Sequence, residues 1–311
     1  MINKRYFLGA NTPNGFFSYF DEVTAKRVVL LKGGPGTGKS TLLKRLANME
    51  GHMADVFYCS SDRNSLDGVL VDDLLVLDST APHSIDAKYP ALVDEILNLG
   101  QFWDRKKIRK SENEILSLMA KKSQAFSECY TYLKAAEPLY ARLLSECSKN
   151  SAPYSENILV PEAKNPPKKI TRLFLEAYTN EGFTSFLAEQ LAGATVIDLK
   201  RSENCYAMLN SLADEYANKG YEVIASYDQF FPGKLINHLV IKDTGFVYTV
   251  GDLAPLEREQ QELQSQIEHL TGHAVSAIKT ARETHMEIEK YYIEAMDFKG
   301  VNAATDRKSV V

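Results

Sequence analysis

The sequence predicts an α/β protein made of two related three-layer α/β/α units, each running into a long helix. Three observations carry that prediction. A short β-branched run feeds a glycine-rich turn and then a helix around residue 40. A block beginning at Arg5 recurs at Arg172, an offset of 167 residues (172 minus 5). Two stretches, from Ile115 and from Leu263, repeat apolar residues every three or four positions.

The first element is "RVVLL", Arg27 to Leu31, an apolar run of the kind found in buried parallel strands. It enters "KGGPGTGKST", in which Gly33, four residues and then Gly38-Lys39-Ser40 fit the phosphate-loop pattern GxxxxGK[ST]. "STLLKRLANM" follows with helical spacing, placing Leu42, Leu43, Leu46 and Ala47 on one side. By chance the bare pattern arises in roughly one chain in a hundred of this length, and the flanking strand and helix lower that further. The residue types suit the chemistry. Gly33, Gly34, Pro35, Gly36, Thr37 and Gly38 form a loop that can turn backbone N–H groups towards phosphates. The helix N-terminus adds a partial positive charge. Lys39 is expected to reach the β- and γ-phosphates, Ser40 to ligate Mg²⁺ and Thr41 to contact the α-phosphate.

Such a loop calls for a carboxylate on a neighbouring strand to help hold the metal. In "DDLLVLDST", Leu74 to Leu77 are apolar and end at Asp78, the Walker B pattern, although Asp78 could instead cap the next segment. Asp62 and Asp67 are rival carboxylates near strand ends. Ser79, and not a glutamate that could activate water, follows Asp78. His83 could polarise a group or be an ordinary loop histidine.

The repeat covers more than one block. "RYFLGANTPNGFFSYF" is mirrored by "RLFLEAYTNEGFTSFL", "VVLLK" by "VIDLK", and "LVDDLLVLDSTAPH" by "LVIKDTGFVYTVGDLAPL". Ala81-Pro82 falls on Ala254-Pro255, and Asp62 is matched with Asp228. At the loop itself "GGPGTGKS" is replaced by "RSENCYAM", Arg201 to Met208. Ala207 stands where Lys39 does, and Met208 where Ser40 does. Gly251, then Asp252, lie near the Asp78 position. The second unit is therefore expected to keep the scaffold without ordinary Mg-nucleotide binding.

The long periodic stretches run through Met119, Phe126, Cys129, Leu133, Ala136, Tyr140 and Leu143, and through Leu263, Ile267, Leu270, Ala274, Ala277, Ala281, Thr284, Ile288, Tyr291 and Ala295. They predict amphipathic helices, the first bent at Pro138, either packed as a core seam or serving as a partner-binding arm. "RKKIRK", Arg105 to Lys110, reads as a solvated helix face. The expected organisation is residues 1–150 as a phosphate-loop unit, 151–169 as a linker rich in proline, asparagine and lysine, and 170–311 as the degenerate unit.

The motifs "GANTPNGFFSYF", "LLKGGPGTGKSTLLKR", "CSSDRNSLDGV", "LDSTAPH" and "YPALVDEILNLGQFWD" together resemble a bacterial family of tandem P-loop ATPase-like proteins, over nearly the whole chain. The resemblance implies two P-loop NTPase-like domains with helical insertions. Members of that family often carry an intact cradle in both halves, and the second half here departs from that. The last residues, "DRKSVV", read like a translated sequencing adapter, so the natural chain is expected to continue beyond about Thr305.

Bulk properties narrow the function. Hydrophobic residues make up 44% and charged residues 25%, with a net charge of −5, so nothing indicates a nucleic-acid surface. No stretch suits a membrane span or a signal peptide. Cys59, Cys129, Cys147 and Cys205 form no CxxC pair, and no histidine stands at metal-ligand spacing to them in the sequence. A cytoplasmic protein with reduced thiols is expected. The expected activity is Mg²⁺-dependent binding and hydrolysis of ATP, favoured over GTP because no NKxD motif is present. The alternatives are a small-molecule or nucleotide kinase and a non-catalytic nucleotide switch. A protein partner or a second copy could dock on the helical regions.

Overall fold

The β-branched runs become strands and the runs spaced by three and four become helices. The structure, a computed structural model, describes residues 1–149, 158, 160–162, 166–251 and 256–307. In chain order the first half contains β1 (Ile2–Phe7), the hairpin β2 (Gly9–Thr12) and β3 (Gly15–Ser18), β4 (Arg27–Lys32), α1 (Lys39–Ala47), β5 (Ala54–Tyr58), β6 (Leu66–Val71), β7 (Leu74–Asp78) and β8 (Asp94–Asn98). A 3-10 turn at Leu99–Phe102, the short α2 (Arg105–Arg109) and the long α3 (Glu112–Ser148) complete it. The second half contains β9 (Thr171–Leu173), the hairpin β10 (Glu176–Thr179) and β11 (Gly182–Ser185), α4 (Leu187–Leu191), β12 (Thr195–Lys200), α5 (Glu203–Asn218), β13 (Val223–Tyr227), β14 (Ile236–Ile241), β15 (Phe246–Gly251), α6 (Arg258–Glu294) and α7 (Phe298–Arg307).

The architecture is mixed α/β. The first main sheet has the order β1-β5-β6-β7-β4-β8, and the second, read from its other edge, β9-β13-β14-β15-β12. The pairing sense repeats as well. β1 and β5 are parallel, as are β9 and β13; β6 is antiparallel to both β5 and β7, as β14 is to both β13 and β15; β7 and β4 are parallel, as are β15 and β12. Even the register shift recurs, between Phe57 and Tyr58 in one sheet and between Ser226 and Tyr227 in the other. Only β8 has no counterpart among the described residues.

The two halves meet reciprocally. Phe7 and Phe174, which occupy equivalent positions, form an antiparallel bridge with N–H···O distances of 2.8 and 2.9 Å. Arg5 pairs with Glu189 at 2.6 Å, and its equivalent Arg172 pairs with Glu22 at 3.3 Å. Phe7 stacks on Phe186, while Phe174 packs on Tyr19. This is the contact pattern of a two-fold axis inside one chain.

Helices α3 and α6 pack along their length. Arg142 meets Glu259 near one end, Tyr132 stacks on His273, and Lys122 approaches His285 further along, so the two run antiparallel. Their buried seams are Ile115, Ala125, Cys129, Leu133, Ala136, Tyr140, Leu143, Leu144 and Cys147 against Leu263, Ile267, Thr271, Ala274, Ala277, Ile278, Ala281, Thr284 and Ile288. Met119, Phe126 and Leu270 are only half-buried. Burying one leucine of such a seam is worth about 2 kcal/mol.

Helix α3 runs through Pro138, which lies on its exposed side. Several expectations change. The periodic series through Tyr291 and Ala295 stops with α6, which ends at Glu294, and Asp297 accepts from the Lys299 and Gly300 amides at 3.1 Å each to start α7. Val301 and Ala304 of α7 join the core beside α1 and β4, so the last described helix packs on the first half. Asp62 is not matched by Asp228. The strand registers put Asp228 opposite Cys59, since Cys59 N–H bonds to Ser65 O and Asp228 N–H to Leu235 O, each just before the next strand. They also put Val250, and not Gly251, at the Asp78 position, because Leu31 pairs with Asp78 and Leu199 with Val250. The Arg105–Arg109 helix buries no residue. Asp252, Ala254-Pro255, much of the expected linker and Lys308 to Val311 lie outside the described residues. No helix among the described residues is long and apolar enough to cross a membrane.

Candidate functional site

The site forms at the C-terminal ends of β4 and β7, where a parallel pair presents its strand ends to one loop. β4 delivers the chain into the loop 33–38, and α1 begins at Lys39. Gly38 takes a left-handed conformation (φ 86°), and α1 starts with no side-chain cap. Its first-turn amides are therefore not satisfied by a capping side chain, which favours an anion at that end. Thr37 is buried and donates from Oγ1 to Gly34 O at 3.0 Å, and Thr80 donates to Gly33 O at 2.8 Å. Pro35 lies within the turn, and Thr41 is exposed on the first turn of α1.

The Lys39 ammonium folds over this loop, donating to Gly33 O and to Gly34 O, the latter at 2.9 Å. It stands 3.7 Å from Asp78 Oδ2, both side chains being largely shielded. Burial raises the Asp78 pKa, and the Lys39 charge opposes the rise. Asp78 Oδ1 accepts from Thr80 N–H at 2.9 Å, so one oxygen organises the following turn while the other faces the lysine. Ser40 Oγ accepts from Leu66 N–H at 3.3 Å, across to β6. The hydroxyl of Ser40 with the carboxylate of Asp78 is a hard oxygen donor set that fits Mg²⁺.

Asp67 was one of three rival carboxylates in the sequence. Gly68 pairs with Leu77, which sets Asp67 across from Asp78 on adjacent antiparallel strands. Asp67 is fully shielded, and burial pushes its pKa up to about 7. His83, in the turn after β7, comes within 3.6 Å of Asp67. Its ring lies against Phe16 and Phe20, and burial pushes its pKa down to about 4. Cys59, at the end of β5, completes this corner, its thiol in hydrogen-bond reach of Asp67 and its pKa raised by burial. Thus a histidine and a cysteine far apart in sequence meet in space. Asp62 instead pairs with Arg282 of α6 at 3.3 Å.

The end of α6 lies on the loop. Gly36 N–H donates to Glu289 Oε1 at 3.4 Å. A Cβ on Gly36, whose φ is 67°, would meet Ile293 Cγ1 at 2.9 Å and Ile293 N at 3.0 Å, so glycine is what permits this approach. Trp103 lies against Gly34, and Phe298 against Gly38. Glu289 is also close to His285 (3.8 Å), and it partly opposes the burial that lowers the pKa of Lys122. The cations Lys39, Lys122 and Arg282 all act on His285, whose pKa is pushed down to about 4, chiefly by burial. Glu289, Lys122 and Arg282 carry no local motif, so no sequence signal marks them. Arg63 is held over the Tyr58 and Phe186 rings, 5.1 and 4.8 Å from their centroids.

The matching place in the second half is built differently. β12 reaches α5 through Arg201 and Ser202 alone. Ser202 caps the helix by accepting from Cys205 N–H at 3.2 Å, and Ser148, at the end of α3, accepts from Glu203 N–H at 2.9 Å. Each long helix therefore ends on the strand-to-helix junction of the other half.

No protein-family model, curated protein or solved structure matches this chain.

Proposed function

We propose that the chain is a tandem P-loop NTPase-like protein whose first half binds Mg²⁺-ATP and hydrolyses it, with binding coupled to movement of the α3–α6 pair and the second half. One observation carries the reading. The uncapped start of α1 faces Lys39, Ser40 and Asp78, whereas the equivalent start of α5 is closed by Ser202 and Ser148. One half keeps an anion-binding end; the other has filled it with hydroxyls.

In this reading Lys39 exchanges the carbonyls of Gly33 and Gly34 for phosphate oxygens. Ser40 and Asp78 would hold Mg²⁺, which supplies charge neutralisation at the β- and γ-phosphates. The loop amides orient the chain of phosphates, and catalysis rests on positioning and fixed charge. Glu289 is a carboxylate on a loop amide that a phosphate would use, so triphosphate and Glu289 compete. Displacing Glu289 pushes on α6, and through the shared seam on α3, which ends on the second half. A chain whose four cysteines form no disulfide suits a reducing, cytoplasmic location.

The test is a Mg-ATP titration with phosphate release followed. The wild type should bind saturably and release phosphate, and Lys39→Ala should weaken binding by roughly a hundredfold, the loss of about 3 kcal/mol of charge-assisted contact. Glu289→Gln should bind several-fold tighter. A wild type that ignores ATP, or a Lys39→Ala protein that binds equally well, refutes the assignment. Unchanged affinity in Glu289→Gln refutes the coupling alone. Transfer of phosphate to an acceptor, or tight binding with no turnover, selects the kinase or the switch.

A further inference from the structure

We propose that Cys59, Asp67 and His83 form a binding site for a divalent ion of borderline softness, with zinc as the type case, beside the phosphate loop and distinct from the Ser40–Asp78 pair. A sulfur, an oxygen and a nitrogen donor from three neighbouring chain segments lie within 4.8 Å of one another. In a tetrahedral site with bonds of 2.0 to 2.3 Å, donors stand about 3.5 Å apart. The His83–Asp67 separation of 3.6 Å already meets this. Rotation of the Cys59 side chain would bring in the sulfur.

The polar groups here are not satisfied by the protein. Asp67 Oδ2, His83 Nδ1 and the neighbouring Ser60 Oγ are buried without a hydrogen-bond partner. Asp67 is 4% and His83 9% exposed, so bulk water does not serve them. Leaving such groups unpaired costs roughly 1–3 kcal/mol each; an ion held by His83 Nε2 and the Asp67 carboxylate would relieve that cost at the carboxylate.

The second half supplies the control. There Asp228 stands at the Cys59 position and Asn237 at the Asp67 position. Asp228 accepts from the Phe230 and Phe231 amides at 2.7 and 3.1 Å, from Tyr140 OH at 2.7 Å and from Asn237 at 3.2 Å. The same corner of the same fold is closed by protein donors in one half and left with three metal-ligand types in the other. A thiolate, an imidazole and one carboxylate are a poor set for Mg²⁺ and a good one for zinc-like ions. The three protein ligands leave a fourth position open, as catalytic and exchangeable sites do. Binding would release the Cys59 thiol proton to solvent.

The experiment is a Co²⁺ titration of the reduced full chain, read by absorbance. One equivalent should bind and produce a thiolate-to-cobalt charge-transfer band together with the visible bands of a tetrahedral ion; zinc should displace it. Cys59→Ser should lose the charge-transfer band, and His83→Gln should weaken binding by at least about tenfold. Lys39→Ala should keep both signals, which separates this site from the nucleotide reading. Absence of the charge-transfer band in the wild type, or its persistence in folded Cys59→Ser, overturns the proposal. If Cys59→Ser does not fold, the wild-type band decides, because Cys129, Cys147 and Cys205 take part in no comparable cluster among the described residues.

Discussion

The two halves share strand order, pairing sense and a register shift, yet they treat the turn after the central strand in opposite ways. After β4 the chain spends residues 33–38 on a glycine-rich loop before α1 begins; after β12 it enters α5 almost at once. The longer α5 buries Cys205, Tyr206, Leu209, Leu212, Ala213, Tyr216 and Ala217, more apolar surface than α1 does. One half has left donors exposed at a helix end, and the other has converted the same positions into helix and core. The difference teaches that a glycine-rich loop at this turn is a local departure from stable packing, tolerated by a scaffold that does not need it to fold.

That comparison can be broken at several points. Apart from the nucleotide titration, the largest effect should come from the buried corner. Asp228→Ala would leave two amides, the Tyr140 hydroxyl and the Asn237 amide unpaired, and should cost about 3 kcal/mol or more in chemical denaturation. Cys59→Ala, at the matching position, should cost about 1 kcal/mol in metal-free buffer. Equal costs would mean that the two corners are not built differently.

A smaller effect concerns His285. Its pKa falls from 6.5 to about 4 in the folded chain, through burial and then Lys122, Lys39 and Arg282, with Asp62 opposing. The unfolded chain therefore binds more protons between those values, and stability should drop as the pH falls from 6.5 to 4. His285→Gln should flatten that part of the stability profile. Glu289 is 3.8 Å away, and with 37% of the imidazole exposed the change should be modest. An unaltered slope would remove His285 from the charge cluster at the cradle.

The smallest effect tests the symmetry. Arg5→Ala and Arg172→Ala break reciprocal, partly exposed ion pairs and should each cost about 0.5 kcal/mol. Costs differing by more than about 1 kcal/mol would show that the reciprocal contacts are unequal in energy.

Much of this was legible in the residues themselves. Glycines, lysine and serine at fixed spacing announced a strand, loop and helix, because those residue types follow from local backbone demands. The periodic seams of α3 and α6 were legible for the same reason, since burial on one helical face leaves a pattern of three and four. What the sequence hid was long-range. Glu289 reaches Gly36, and His83 reaches Cys59, only because the topology brings distant segments together. The Asp62–Asp228 match failed because Asp228 follows β13 at once, whereas Asp62 stands several residues beyond Tyr58, so the two aspartates occupy different places after equivalent strands. Pro138 is accommodated within α3 because it sits on the outer side of a helix anchored along its inner side.

Phe7 and Phe174 lie opposite their own counterparts, and that fact reaches beyond the bridge itself. A surface that meets its own counterpart is tested from both sides by any change made in both halves, so the grip favours halves that match. Here the halves still resemble one another where they grip, and have parted where one of them would handle a ligand. The seam is where the two halves are alike, and the turns after their central strands are where they differ.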